Sequence, residues 1–176
     1  MLRYAITAFA FLLSFTTAQA EEGQSYIGVS SILSGYFEAD SSEFYDNEVN
    51  SGSILTYGRG IQDNIDLEFS YVRHLDLNIG EGYFVDELAA IEVAALIRTQ
   101  ENEPFFRIGY SHAEQSISSD TLDNIDSDID DGGLIYGAGI DFAVSNNAGK
   151  LRLEYTLADY DGSKLHRVAV GSFINF

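Results

Sequence analysis

Apolar and polar side chains alternate residue by residue through most of this chain, in short runs broken by stretches rich in Gly, Asn, Asp and Ser. A period of two is the pattern of a β-strand with one apolar face, because successive side chains point to opposite sides. Eight runs carry it. The first, Ser25 to Tyr36, sets Ile27, Val29 and Leu33 against Gly28, Ser30 and Ser34. In the second, Ser51 to Arg59, glycines leave two registers open, with either Leu55 and Tyr57 or Ile54 and Thr56 on the outer face. After a Gly60 to Asn64 connection, Leu67, Phe69 and Tyr71 alternate with Asp66, Glu68 and Ser70. The run Glu87 to Thr99 also has helix-forming composition, but Ile91, Val93, Ala95 and Ile97 alternate with Glu92, Ala94 and Arg98, which predicts a strand. Phe106, Ile108 and Tyr110 oppose Arg107, Gly109 and Ser111 in the fifth run. The sixth opposes Leu134, Tyr136, Ala138, Ile140, Phe142 and Val144 to Gly137, Gly139, Asp141 and Ala143. In the seventh, Leu151, Leu153, Tyr155 and Leu157 face away from Arg152, Glu154 and Thr156. The last, Leu165 to Phe176, sets Val168, Val170, Ile174 and Phe176 against Arg167, Gly171 and Asn175.

Each run has the length of ~9 to 11 residues that a tilted strand needs to cross a bilayer. A soluble barrel of lipocalin type would turn its apolar rows inward and its charges outward. The rows holding Asp66, Glu68, Arg152 and Glu154 speak instead for an enclosed polar face with lipid against the apolar one. The connections alternate in length, the long ones being 37–49, 76–87, 114–131 and the shorter 159–163. The expected fold is therefore all-β, an eight-stranded antiparallel up-and-down transmembrane β-barrel.

The amino terminus has its own pattern: basic Arg3, an apolar stretch from Ala5 to Phe15, and Ala18-Gln19-Ala20 as a small-x-small cleavage site. Residues 1–20 are thus expected to be a removable signal peptide, leaving 21–176 as one barrel domain. The apolar part is shorter than the ~20 residues of a spanning helix. The chain has no cysteine, so it can form neither a disulfide nor a lipidated cysteine anchor. Its formal charge of −19 is unevenly spread, because the four outer connections hold eighteen of the twenty-eight acids. Such clustering excludes nucleic acid as a partner and favours divalent cations or basic surface partners at one end of the molecule.

With these residues in view, the chain resembles the small eight-stranded outer-membrane barrels, the porin-like family that includes opacity proteins and the OmpA and OmpX types. The resemblance covers residues 25 to 176 and rests on the leader, the dyad repeats, the alternation of connections and the terminal aromatic Phe176. It implies residence in the bacterial outer membrane of a Gram-negative cell envelope, contact with outer-membrane lipids and lipopolysaccharide, and a monomeric barrel. It also implies delivery by periplasmic chaperones to the barrel-assembly machinery, with Val168, Val170, Ile174 and Phe176 as the assembly signal. The chain lacks tryptophan, so Tyr26, Tyr36, Tyr57, Tyr71, Tyr110, Tyr136, Tyr155 and Phe176 are the candidates for the interfacial girdles.

The enclosed rows should assemble a charge network of Asp66, Glu68, Glu92, Asp141 and Glu154 with Arg98, Arg107, Arg152 and Arg167. Eight strands leave only enough room for side chains, so these charges must pair in a polar core. Asp141 and Arg152 flank the 145–148 turn symmetrically and should face each other across it. A breakable plug of this kind would also suit a narrow channel for small ions. A lipid-modifying enzyme would need Ser111, His112 and Glu114 together, but parity turns Ser111 inward and the other two outward. His74 with Asp76, and His166, read as amphipathic rim residues. Asp126, Asp128 and Asp130 resemble the start of a calcium loop, yet the glycine comes one place late and the closing glutamate is missing. No catalytic residue and no cofactor are expected, and the leading reading is a structural or surface-interaction barrel.

Overall fold

A computed structural model of the chain describes residues 23–39, 47–78, 83–99, 104–119, 127–144, 148–161 and 163–176. The expected signal peptide lies outside them. Eight strands form in sequence order: β1 (Ser25–Ala39), β2 (Asn47–Gln62), β3 (Ile65–Asn78), β4 (Tyr83–Arg98), β5 (Pro104–Ser119), β6 (Ser127–Val144), β7 (Gly149–Tyr160) and β8 (Ser163–Asn175). Each pairs antiparallel with its neighbours, and β1 also pairs with β8, so the sheet closes into a barrel without free edges in its spanning part. Phe176 completes the seam: its N–H donates to Ser25 O at 2.8 Å and its carbonyl accepts from Ser25 N at 3.1 Å. Residues 87–98 belong to β4, so the strand reading holds over the helical one.

The apolar rows face out. Leu55 and Tyr57 are 50% and 42% exposed while Ile54 and Thr56 are buried, which settles the register of β2. Ile27, Val29, Phe69, Tyr71, Ile91, Phe106, Ile108, Tyr110, Leu134, Phe142, Leu153 and Tyr155 join the same surface. A water-soluble monomer rarely exposes a contiguous apolar patch beyond ~300–600 Å². On β3, β5, β7 and β8 the apolar row stops at Arg73, His112, Asp159 and His166, which places about nine residues of each strand in the band. At ~3.4 Å rise and ~40° tilt that span is about 23 Å, close to the ~25 Å apolar belt of membrane barrels.

Three expectations need correction. The long connections are largely strand: β1 and β2, β3 and β4, and β5 and β6 run on into the acidic segments, leaving only 40–46, 79–82 and 120–126 between them. In these extensions the sequence lacks the regular alternation that reveals a strand. Ser34 does not share the inner row, because β1 carries a bulge between Ile32 and Ser34 against β8 and Ser34 turns outward. Tyr26 belongs to no girdle. It points inward, 4% exposed, while Tyr57, Tyr71, Tyr110, Tyr136, Tyr155 and Phe176 face outward and the side chain of Tyr36 lies outside the described residues.

Candidate functional site

The interior has two layers, and the first contains all nine charges expected from the sequence. At the end near the chain termini, Arg152 of β7 reaches Asp141 of β6 at 2.8 Å and Glu68 of β3 at 2.7 Å. Asp141 and Arg152 sit directly opposite in the β6–β7 ladder, as the symmetry of their turn requires. Arg98 of β4 joins Asp66 and Asp141, both at 2.8 Å. Arg107 of β5 meets Glu68 at 2.9 Å and both Glu92 and Glu154 at 3.2 Å. Arg167 of β8 holds Glu92 at 2.6 Å. These side chains hang from six different strands, so only barrel closure brings them together. Desolvating so many charges is tolerable because Glu68, Glu92, Asp141 and Glu154 each face two or more cations, and Arg98, Arg107 and Arg152 each face two or more carboxylates.

Sequence reasoning missed four contributors to this layer. Lys150 lies 3.2 Å from Asp141, and its ammonium stands 3.9 Å from the Tyr26 ring centroid. The two-residue repeat through Arg152 and Glu154 already points Lys150 inward, but its place beside a turn hid that signal. Tyr26 donates its hydroxyl to Glu68 at 2.6 Å and lies 3.0 Å from Asp66. Phe105 and Phe173 roof the guanidinium of Arg152, at 4.6 and 4.3 Å from their centroids. These rings fit only because glycines face them: a Cβ on Gly28 would strike the Phe173 ring, and one on Gly58 the ring of Tyr26. With Lys150 counted, the network holds five carboxylates and five cations. It is neutral, so the formal charge of −19 lies outside it.

The second layer overturns the expectation of a polar core throughout. Towards the long connections the inner rows become apolar, with Ile32, Ile54, Val72, Leu88, Ala90, Ala113, Ile135, Ala158 and Leu165 in one buried cluster. His74 sits in this layer, 0% exposed, and so is no rim residue; the side chain of Asp76 is outside the described residues. The two-residue repeat of β3 predicts its inward aim, since 66, 68, 70, 72 and 74 share a face. Ser30, Thr56, Ser70 and Ser111 are buried as well, and Ser111 is hydrogen-bonded at 2.9 Å to Tyr160, a member of the apolar cluster.

Ser111 is therefore separated by the wall from His112 and Glu114, which face outward. His166 pairs with Tyr155 on the outer surface, Nδ1 to Oη at 2.7 Å. Asp126 lies outside the described residues, as do the side chains of Asp128 and Asp130, whose backbone belongs to β6. Among the described residues no three His, Asp or Glu side chains are grouped to hold a metal ion. Of the residues expected to signal assembly, Val170 and Phe176 are exposed on the outer surface and Val168 and Ile174 half-buried beside them.

The family described as outer membrane protein beta-barrel domain matches residues 5–176. No curated protein sequence matches the chain. Among solved structures, the attachment invasion locus protein Ail of Yersinia pestis is 17% identical, with a TM-score of 0.63 over 89% of this chain and 100% of that one. Neisserial surface protein A is 16% identical, with a TM-score of 0.66 over 88% of this chain and 100% of its own. The amino-terminal barrel of Pseudomonas aeruginosa OprF is 15% identical, with a TM-score of 0.57 over 88% and 100%. At such identities the likeness is one of fold.

Proposed function

Because the chain belongs to the outer membrane protein β-barrel family, and so to the bacterial outer membrane, we propose that it acts as a surface-interaction barrel with a side-chain-filled lumen rather than as a pore or an enzyme. In this reading residues 1–20 are cleaved, the chain termini face the periplasm, and the acidic hairpins face the medium. The observation that carries it is the partition of charge: the lumen network cancels itself, while the acids outnumber the bases heavily outside it. Only Arg59, Arg73 and Lys164 remain as outer cations beyond the leader.

Such a surface attracts divalent cations and basic partners and repels polyanions. Ail of Yersinia pestis has been crystallised with the heparin analogue sucrose octasulfate, and the outer charge of the present chain opposes a ligand of that kind. The test uses the folded barrel in lipid nanodiscs. Oligolysine should bind with an affinity that falls steeply with salt, and heparin should not bind. Heparin binding of comparable strength would sink the reading.

The channel remains the competing interpretation, favoured by the continuity of the ion-pair network at the periplasmic end. Steady, ion-selective conductance of the wild-type barrel in a planar bilayer would establish it. No catalytic group is assigned, since Ser111 lacks access to either outward histidine.

A further inference from the structure

The wall of the barrel ends unevenly on the side of the acidic connections. Strand β6 begins at Ser127, but its ladder with β7 stops where Leu134 faces Asp159, because β7 ends at Tyr160 and turns directly into β8. On its other side the β5 ladder continues without a register shift, from Pro104 opposite Ile140 to Ile117 opposite Ser127. Among the described residues, Ser127–Gly133 is therefore paired along one edge only, whereas β8 accompanies β1 as far as Ala39 opposite Ser163. The direction of the unpaired groups follows from the ladder. A Cβ on Gly133, Gly137 or Gly139 would meet the carbonyl oxygen of Asp159, Tyr155 or Leu153, so these carbonyls point at β6. Their residues pair with Leu134, Ala138 and Ile140. Even-numbered residues of β6 thus turn N–H and C=O towards β7, and by the same alternation Asp128, Asp130 and Gly132 turn theirs towards the unpaired edge. Gly132 bears this out: its N–H donates to Oδ1 of Asp131 at 2.7 Å, and Oδ2 of that carboxylate accepts from Asp161 N at 3.2 Å. This fork closes the corner beside β7 and leaves the backbone groups of Asp128 and Asp130 without a strand neighbour on that side.

An unpaired strand edge is a template for another strand, with main-chain hydrogen bonds supplying affinity and alternate side chains supplying selectivity. We propose that the Ser127–Gly133 edge of β6 takes up one extended, basic peptide segment of a surface partner, adding it to the wall where β7 stops. The inference rests on the reading of this chain as a surface-interaction barrel whose acidic hairpins face the medium. Charge selects the occupant. The segment Ser127-Asp128-Ile129-Asp130-Asp131 holds three acids and no base, and Asp159 and Asp161 stand at the end of the neighbouring hairpin. An incoming strand with Lys or Arg at every second position would set cations on the same face as Asp128 and Asp130, where opposite charges stabilise a cross-strand pair. A second copy of this chain fits worse, because two such edges would bring aspartates opposite aspartates.

The test uses the folded barrel in lipid nanodiscs and an alternating lysine–valine octapeptide, alongside the same peptide N-methylated at every peptide bond, which keeps its charge but cannot complete a ladder. The parent peptide is expected to bind at least about tenfold more tightly than the methylated one. It should also slow amide hydrogen exchange at Asp128 and Asp130. Asp130→Pro deletes one edge N–H while leaving the β5 ladder intact, and should weaken the parent peptide about tenfold. Asp130→Asn, which removes the charge and keeps the N–H, should weaken it only about threefold. Equal binding of the two peptides, or no added protection at Asp128 and Asp130, would overturn the edge proposal while oligolysine binding still upheld the broader reading. Failure of oligolysine to bind would overturn both. A dimer of the free barrel that protects the same two amides would assign the edge to a second copy and overturn the proposal as well. The exchange measurement on the wild-type barrel is decisive even if Asp130→Pro does not fold.

Discussion

Asp141 is the residue on which the half of the lumen near the chain termini turns, because its one carboxylate meets Arg98, Arg152 and Lys150 at 2.8, 2.8 and 3.2 Å. Asp141→Asn strands these cations in the interior and should cost about 3–5 kcal/mol, the range for breaking a buried pair from one side. Urea unfolding from liposomes measures it, with Glu114→Gln on the exposed outer face as a control expected to stay within about 0.5 kcal/mol. Gly28→Leu tests packing in place of charge. Its side chain must displace the Phe173 ring, and overpacking of this kind costs about 1–3 kcal/mol. A loss below that range would mean that Phe173 moves freely. Residue parity made most of this readable in advance: Asp66, Glu68, Arg107 and Glu154 all lie where alternation puts them. Tyr26 was misassigned by chemistry, since an aromatic with a hydroxyl suits a lipid interface as well as it suits a carboxylate in a lumen.

At the scale of the strand, the outward rows define the lipid band and the inward rows the core. Ile108, 51% exposed in the middle of the outward row of β5, is predicted to tolerate Leu but not Arg. Ile108→Arg should destabilise by about 2–4 kcal/mol if that position lies at the midplane, measured by the same unfolding in liposomes. The strand ends carry a different prediction. Phe176 supplies both backbone hydrogen bonds to Ser25 and an exposed aromatic ring, and Phe176→Ser keeps the first while removing the second. If the ring is read during assembly, the variant should accumulate in the periplasm and be degraded, with loss of the heat-dependent gel shift of a folded barrel. A normal gel shift from the outer membrane would assign Phe176 a merely structural part. Strand number and order were legible from period and turns, whereas the outer extensions of β1 to β6 were not, because acidic and polar residues there interrupt the two-residue apolar repeat.

For the whole molecule, the proposed closed lumen predicts that the two interior layers, one ionic and one apolar, act as seals in series. Arg152→Ala alone should therefore leave a planar bilayer non-conducting, because the cluster around Ile135 and Leu88 still excludes water and ions. Adding Ile135→Ser and Leu88→Ser to Arg152→Ala should open both seals and give measurable conductance. Conductance from Arg152→Ala by itself would show that the apolar layer does not close the barrel. The same layering confines charge repulsion to the outer surface, where counter-ions screen it, and leaves the lipid-embedded part electrically balanced.

Alternation alone determined that eight strands are present, which side chains share a face, and that the enclosed face carries nearly matched charges, because side-chain direction in a strand follows from backbone geometry within one segment. Closure decided the rest. Which arginine meets which carboxylate, how Lys150 completes the balance, and where polar filling gives way to Ile32, Val72 and Ile135 depend on strands far apart in the chain meeting across a narrow lumen. Distances across the barrel are set by strand stagger and by rings lying over glycines, neither of which is written in any single run of residues.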